Sequence, residues 1–131
     1  MLAIDQTYEH EFKFSQDDVV AFSRLTGDNN PIHLDEDYAA NSPFKKPIIH
    51  GMLGASVFSK VLGTLFPGKG TIYLSQELEF KRPMFVDIEY KAHFKVKEIF
   101  SDKNRAVIQT SVADITTGKE TIAGEARVML P

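Results

Sequence analysis

Between Gly51 and Gly63 the chain is apolar or small on nearly every side, with Met52, Leu53, Val57, Phe58, Val61 and Leu62 interspersed with Gly54, Ala55, Ser56 and Ser59. A helix of this composition has no broad polar face for water and must be covered, and its small residues let a sheet approach its backbone closely. The residues that follow supply the cover. Ile72, Leu74, Leu78 and Phe80 keep even phase, and the stretch from Val86 to Val96 alternates with Asp87, Glu89, Lys91, His93, Lys95 and Lys97. Two more runs, Arg105 to Ile115 and Lys119 to Leu130, flank a turn at Thr116-Thr117-Gly118. Period-two alternation over such lengths predicts antiparallel strands with one apolar face. The pattern as a whole predicts an α+β fold, a sheet curled around one central helix.

The N-terminal part prepares that helix. Tyr8, His10, Phe12 and Phe14 alternate with Glu9, Glu11 and Lys13, which predicts a half-buried strand. Ser15, with Asp18 three residues on, has the form of a capping box for a helix through Val19, Val20, Phe22 and Leu25. A short acidic helix is expected over Asp35-Glu36-Asp37-Tyr38-Ala39-Ala40, ended near Asn41-Ser42-Pro43. With 131 residues and no repeat, linker or low-complexity tract, residues 1–131 are expected to form a single domain with a core that needs no staples.

Composition removes several functions. There are no cysteines, and the four histidines show no spacing typical of a zinc site, so neither metal nor cofactor is expected. The formal net charge is −3 and the basic residues are scattered, which points away from nucleic acid and anionic membrane surfaces. Met1-Leu2-Ala3-Ile4-Asp5 has no signal-peptide form and no window approaches a membrane span, so a cytoplasmic location is expected.

The chemistry centres on Thr26-Gly27-Asp28-Asn29-Asn30-Pro31-Ile32-His33. On an unbroken helix residues five apart point about 140° away from each other. Gly27 loosens the backbone here, and Pro31 biases Asn30 out of the α region. The chain must turn, and a turn can aim Asp28 and His33 at one point, where a water between them could be deprotonated and a proton handed on. Asp-Asn-Asn-Pro is also ordinary turn chemistry, and for an isolated D-x-x-P-x-H that is the better explanation.

The surroundings change the balance. Phe22 to His33, followed after five residues by Ala39, resembles the signature of the MaoC-like (R)-specific enoyl-CoA hydratases, or hydratase 2. Pro47-Ile48-Ile49-His50-Gly51-Met52-Leu53, Leu65-Phe66-Pro67-Gly68-Lys69-Gly70 and Phe80-Lys81-Arg82-Pro83 resemble the short members that supply polyhydroxyalkanoate synthesis from fatty-acid oxidation. The resemblance extends over nearly the whole chain and implies the hot-dog fold, an acyl-CoA substrate and a homodimer with the acyl channel near its interface.

It also implies roles. Asp28 would draw a proton from water and His33 would hold the same water, while the Gly51 amide, at the start of the apolar helix, would receive the enolate oxygen of the thioester. Ser59 aligns with a family serine that shapes the pocket, although a small residue packed against the sheet explains it equally well. Beside the resemblance, Asn30 is read as a turn-former or orienting hydrogen bond of the loop, and Leu62 as an acyl-wall candidate with plain core as the alternative; Asn30, Ser59 and Leu62 are the substrate-binding candidates. His50 is expected to be a hydrogen-bonded structural residue. Lys45, Lys46, Lys69, Lys81 and Arg82 are near the loops where CoA phosphates would lie, and a solvated face explains them equally well. Three other readings stay open: an (R)-3-hydroxyacyl dehydratase acting on acyl carrier protein, a hot-dog thioesterase and a non-catalytic acyl-CoA binder. The thioesterase is disfavoured because no carboxylate lies between Gly51 and Gly63.

Overall fold

The computed structural model describes residues 1–131. The elements are β1 (Thr7–Phe12), α1 (Gln16–Thr26), α2 (Pro31–Leu34), α3 (Glu36–Ala40), α4 (Gly51–Thr64), β2 (Ile72–Gln76), β3 (Glu79–Phe80), β4 (Tyr90–Phe100), β5 (Arg105–Asp114) and β6 (Glu120–Met129). The strands form one sheet in the order β1-β4-β5-β6-β2, with β3 also on β6, and all pairs are antiparallel.

The inner face of the sheet packs on α4, as the alternation predicts. Tyr90, Ala92, Phe94 and Val96 of β4 share one core with Val57, Phe58, Val61 and Leu62 of α4 and with Ile108, Val112, Ile122, Ala126 and Val128. Phe58 meets Phe94 edge to face, with ring centroids 5.8 Å apart. The close approach expected of small helix residues is present at Gly54, where a Cβ would lie 2.9 Å from Met84 Sδ. The helix is not covered all round. Met52, Ser56, Ser59 and Lys60 form an exposed stripe.

Three boundaries differ from the sequence pattern. The strand expected from Val86 begins only at Tyr90, because Asp87 adopts a left-handed φ of 61° and donates its amide to the Phe14 carbonyl, which takes the segment out of the ladder. The even-phase run from Ile72 to Phe80 is split into β2 and β3. Glu77 there donates to the Glu125 carbonyl at 2.8 Å, over Gly124. A Cβ at Gly124 would lie 1.7 Å from the Glu77 carbonyl oxygen, so the strand can cross only above a glycine. The third difference is α2, a single helical turn within the segment read as a turn.

The capping box at Ser15 is present, with the Asp18 amide donating to Ser15 Oγ and the Ser15 amide to the Asp18 carboxylate. β2 is a sheet edge whose Ile72, Tyr73 and Leu74 are exposed. No helix is long and apolar enough to cross a membrane.

Candidate active site

The loop between α1 and α2 is built by local hydrogen bonds that follow from its sequence. Gly27 ends α1 at φ 82°, its amide donating to the Ser23 carbonyl. Thr26 Oγ1 donates to the Phe22 carbonyl and accepts from the Asp28 amide at 3.1 Å. Asn30, held extended before Pro31, caps α2 by accepting from the Ile32 amide at 3.2 Å. The Asn30 side chain is committed to that cap and does not line the pocket.

His33 is placed by contacts from outside the loop. Its Nδ1–H donates to the Ile48 carbonyl at 2.7 Å, since a carbonyl can only accept. Gln16 Nε2 donates to the His33 carbonyl at 3.0 Å, and the Ile48 amide donates to the Ile32 carbonyl at 3.1 Å. Nε2 is thereby left as the free lone pair of the ring. Burial lowers the His33 pKa below its ordinary 6.5, and His50 adds to that, while the Ile48 bond and the Asp28 carboxylate pull the other way without reversing it.

Asp28, His33 and His50 offer ligand-type atoms that all lie within 4.8 Å of one another. The convergence of Asp28 and His33 follows the turn read from the sequence, and His50, seventeen positions beyond His33, joins them only in the fold. The grouping is poorly arranged for a metal. The rings of His33 and His50 are stacked, centroids 3.8 Å apart and planes 27° apart, so their in-plane lone pairs run side by side, while His33 Nδ1 is occupied by Ile48. A carboxylate beside a neutral imidazole is instead the equipment for moving a proton.

Gly51 is the first residue of α4, where amides lack intrahelical acceptors and the helix dipole favours negative charge. It lines the same pocket of about 500 Å³ as Asp28 and His33. The walls are largely apolar, including Phe44, Ile48, Met52, Phe80, Met84 and Ile122. The Phe80 ring lies so close to Gly51 that a Cβ there would stand 2.8 Å from two ring carbons.

Ser59 lines a second cavity of about 430 Å³ between α4 and β2, together with Phe22, Ala55, Ser56, Tyr73 and Leu78. Met52 borders both cavities. Leu62, 1% exposed, belongs to the core and lines neither cavity. Lys81 and Arg82 also line the first pocket; Lys81 pairs with Glu120 at 2.7 Å and Arg82 donates to the Glu120 carbonyl. Lys46 lies over the Phe85 ring, 4.5 Å from its centroid. Phe44, Phe80 and Met84 were not singled out from sequence. They come from two distant segments, and only Phe80 carried a signal, in the Phe80-Lys81-Arg82-Pro83 motif.

Comparison with known proteins identifies the family. A model of the MaoC like domain matches residues 2–120. The (R)-specific enoyl-CoA hydratase of Aeromonas caviae is 43% identical over 130 residues, covering 99% of this chain and 96% of that protein. A mitochondrial 3-hydroxyacyl-[acyl-carrier-protein] dehydratase of Solanum lycopersicum is 37% identical, covering 100% of this chain and 79% of the relative. The solved structure of the A. caviae (R)-hydratase involved in PHA biosynthesis superposes with a TM-score of 0.95 at 43% identity, covering 99% of this chain and 98% of the other. A hot-dog sheet around α4, a family match over nearly its whole length and close relatives of one reaction type together show that this chain belongs to the MaoC-like (R)-specific enoyl-CoA hydratases, a family of hydro-lyases.

Proposed function

We propose that the protein adds water to trans-2-enoyl-CoA to give (R)-3-hydroxyacyl-CoA, with Asp28 and His33 as catalytic residues and Gly51 as oxyanion donor. The observation that carries this is the meeting of the Asp28 carboxylate and the His33 imidazole within 4.8 Å, in one apolar-walled pocket with the first amide of α4. A water held between the two gives up a proton to the dyad as its oxygen bonds to C3. The C2 carbanion character is delocalised onto the thioester oxygen facing the Gly51 amide, and a proton from the dyad then closes the C2–H bond. Because the dyad stands on one side of the bound enoyl group, both bonds form with a single handedness.

The second cavity, past Met52 and along Ser59, is the place for the acyl chain, and Leu62, on the neighbouring turn of α4, backs it. Acyl-CoA is the substrate and polyhydroxyalkanoate synthesis the destination of the product, in keeping with the relative named an (R)-specific enoyl-CoA hydratase and the (R)-hydratase described as involved in PHA biosynthesis. The exposed β2 edge and the adjacent Met52 suit a second copy of the chain, giving a homodimer.

Purified protein is mixed with crotonyl-CoA and octenoyl-CoA, and the conjugated thioester absorbance is followed with the product's configuration and free thiol. An (R)-3-hydroxyacyl-CoA without thiol is expected, and thiol release would favour a thioesterase. The resemblance to the S. lycopersicum dehydratase supports a second reading, in which the acyl group is borne by acyl carrier protein. Turnover at least tenfold faster on the carrier-bound substrate would select it.

A further inference from the structure

The acid–base chemistry above makes no use of His50, yet this ring is the most heavily engaged side chain around the site. It is 2% exposed. Its Nε2 lies 3.0 Å from the main-chain carbonyl oxygen of Asp28 and 3.0 Å from Ser23 Oγ. A carbonyl only accepts, so Nε2 carries hydrogen and donates to it. The opposite tautomer would turn a nitrogen lone pair onto the oxygen lone pairs of Asp28. One ring face stacks on His33 at 3.8 Å, and the Phe22 ring lies 4.8 Å away, centroid to centroid.

The arrangement has a drawback that identifies its purpose. His50 Nδ1 is buried and has no hydrogen-bond partner, an uncommon and unfavourable state for a core polar atom. A phenylalanine would fill the same space between Phe22 and His33 without an orphaned acceptor. What an apolar ring cannot do is hold the Asp28 main chain. His50 also directly precedes Gly51 in the chain, so one residue is hydrogen-bonded to the backbone of the base, stacked on its imidazole partner and covalently joined to the oxyanion donor.

We propose that His50 is a positioning residue that sets the distance between the Asp28–His33 pair and the Gly51 amide through its Nε2–H bond to the Asp28 carbonyl and its stacking on His33. This rests on the hydratase reading, and adds to it a residue that touches no reacting atom. Ser23, from α1, steadies the same nitrogen. Since misplacing a reacting group by about 1 Å lowers turnover roughly 100-fold, while His50, 2% exposed, offers almost no surface to a ligand in the pocket it borders, the effect of losing it falls on kcat and spares KM.

The test compares wild type, His50→Leu and His50→Gln on crotonyl-CoA, with binding of the unreactive butyryl-CoA measured by calorimetry and folding by circular dichroism. His50→Leu is expected to lose about 30- to 100-fold in kcat while KM and butyryl-CoA affinity stay within about twofold. His50→Gln, whose amide can still donate to Asp28 but cannot stack, is expected to recover part of that loss. Unchanged kcat in His50→Leu, a parallel loss of kcat and butyryl-CoA binding, or a His50→Gln no better than His50→Leu would each overturn the proposal. Should His50→Leu not fold, nitrogen NMR of the wild-type ring decides: an Nε2–H tautomer is expected and an Nδ1–H tautomer refutes it. That measurement stands apart from the reaction, so a wild type inactive on crotonyl-CoA would remove the hydratase reading without obscuring the His50 result.

Discussion

His33 Nδ1 and the Ile48 carbonyl are joined by a 2.7 Å hydrogen bond that fixes which ring nitrogen is free. The Nε2 lone pair is therefore the free one, and the proposed reaction needs it unprotonated at the moment water is bound. Burial and His50 hold the ring below its ordinary 6.5. The acid limb of kcat/KM is expected to have its midpoint below that value, and a pH profile with crotonyl-CoA would show it. A midpoint well above it would assign the limb to another group.

The same shift makes stability depend on pH. A histidine with a lowered folded pKa leaves the unfolded chain to bind protons first, so its contribution is whole above 6.5 and is lost as pH falls through the folded value. His10 shifts in the same direction, by burial and by Lys60, and contributes less because it is more exposed and screened. The melting temperature is expected to fall between about pH 7.5 and pH 5.5. In His33→Asn the fall should be shallower, measured by differential scanning calorimetry.

Asp28→Asn keeps the shape of the loop and removes the proposed base. Turnover of crotonyl-CoA is expected to drop by roughly 10²- to 10⁴-fold, with butyryl-CoA binding preserved. A variant as active as wild type would return the site to a binding role.

Gly51→Ala places a methyl 2.8 Å from the Phe80 ring, and overpacking of this kind costs about 1–3 kcal/mol. Phe80 is 49% exposed and can be removed with little loss of core. The double variant Gly51→Ala, Phe80→Ala is expected to regain most of the melting temperature and part of the activity. Failure of the second change to rescue stability would locate the defect in the helix start itself.

At Gly124 the obstacle is main chain and cannot move aside. A Cβ 1.7 Å from the Glu77 carbonyl oxygen forces β2 off β6, so Gly124→Ala is expected to unfold the protein or lower its stability by more than about 4 kcal/mol. A urea titration would measure the loss.

Leu62→Ala is expected to cost about 2–5 kcal/mol by leaving a cavity in the core. Leu62 follows Ser59 by one helical turn, and Ser59 lines the second cavity, proposed above for the acyl chain. The rate on octenoyl-CoA should rise relative to crotonyl-CoA. An unchanged ratio would leave Leu62 as core alone.

Much of this protein was legible one residue at a time. The alternation of β4 through Val96, the capping box at Ser15, the helix from Gly51 and the turn forced by Gly27 and Pro31 are all local patterns, written by the requirement that one face be dry and that the backbone be satisfied nearby. Asp28, His33 and Gly51 could be named as candidates because motifs surround them. The start of β4 at Tyr90, the break at Glu77, the partnership of His33 with Ile48 and the fitting of His50 between Phe22, His33 and the Asp28 carbonyl were not. Each depends on what a distant segment places beside it, and the chemistry of a lone histidine is the same whether its neighbours are water or a carbonyl. Periodicity determined which surfaces had to be buried, and only the tertiary structure decided which atoms meet there, because hydrogen bonds and stacking are set by distances of a few ångströms that no spacing along the chain records.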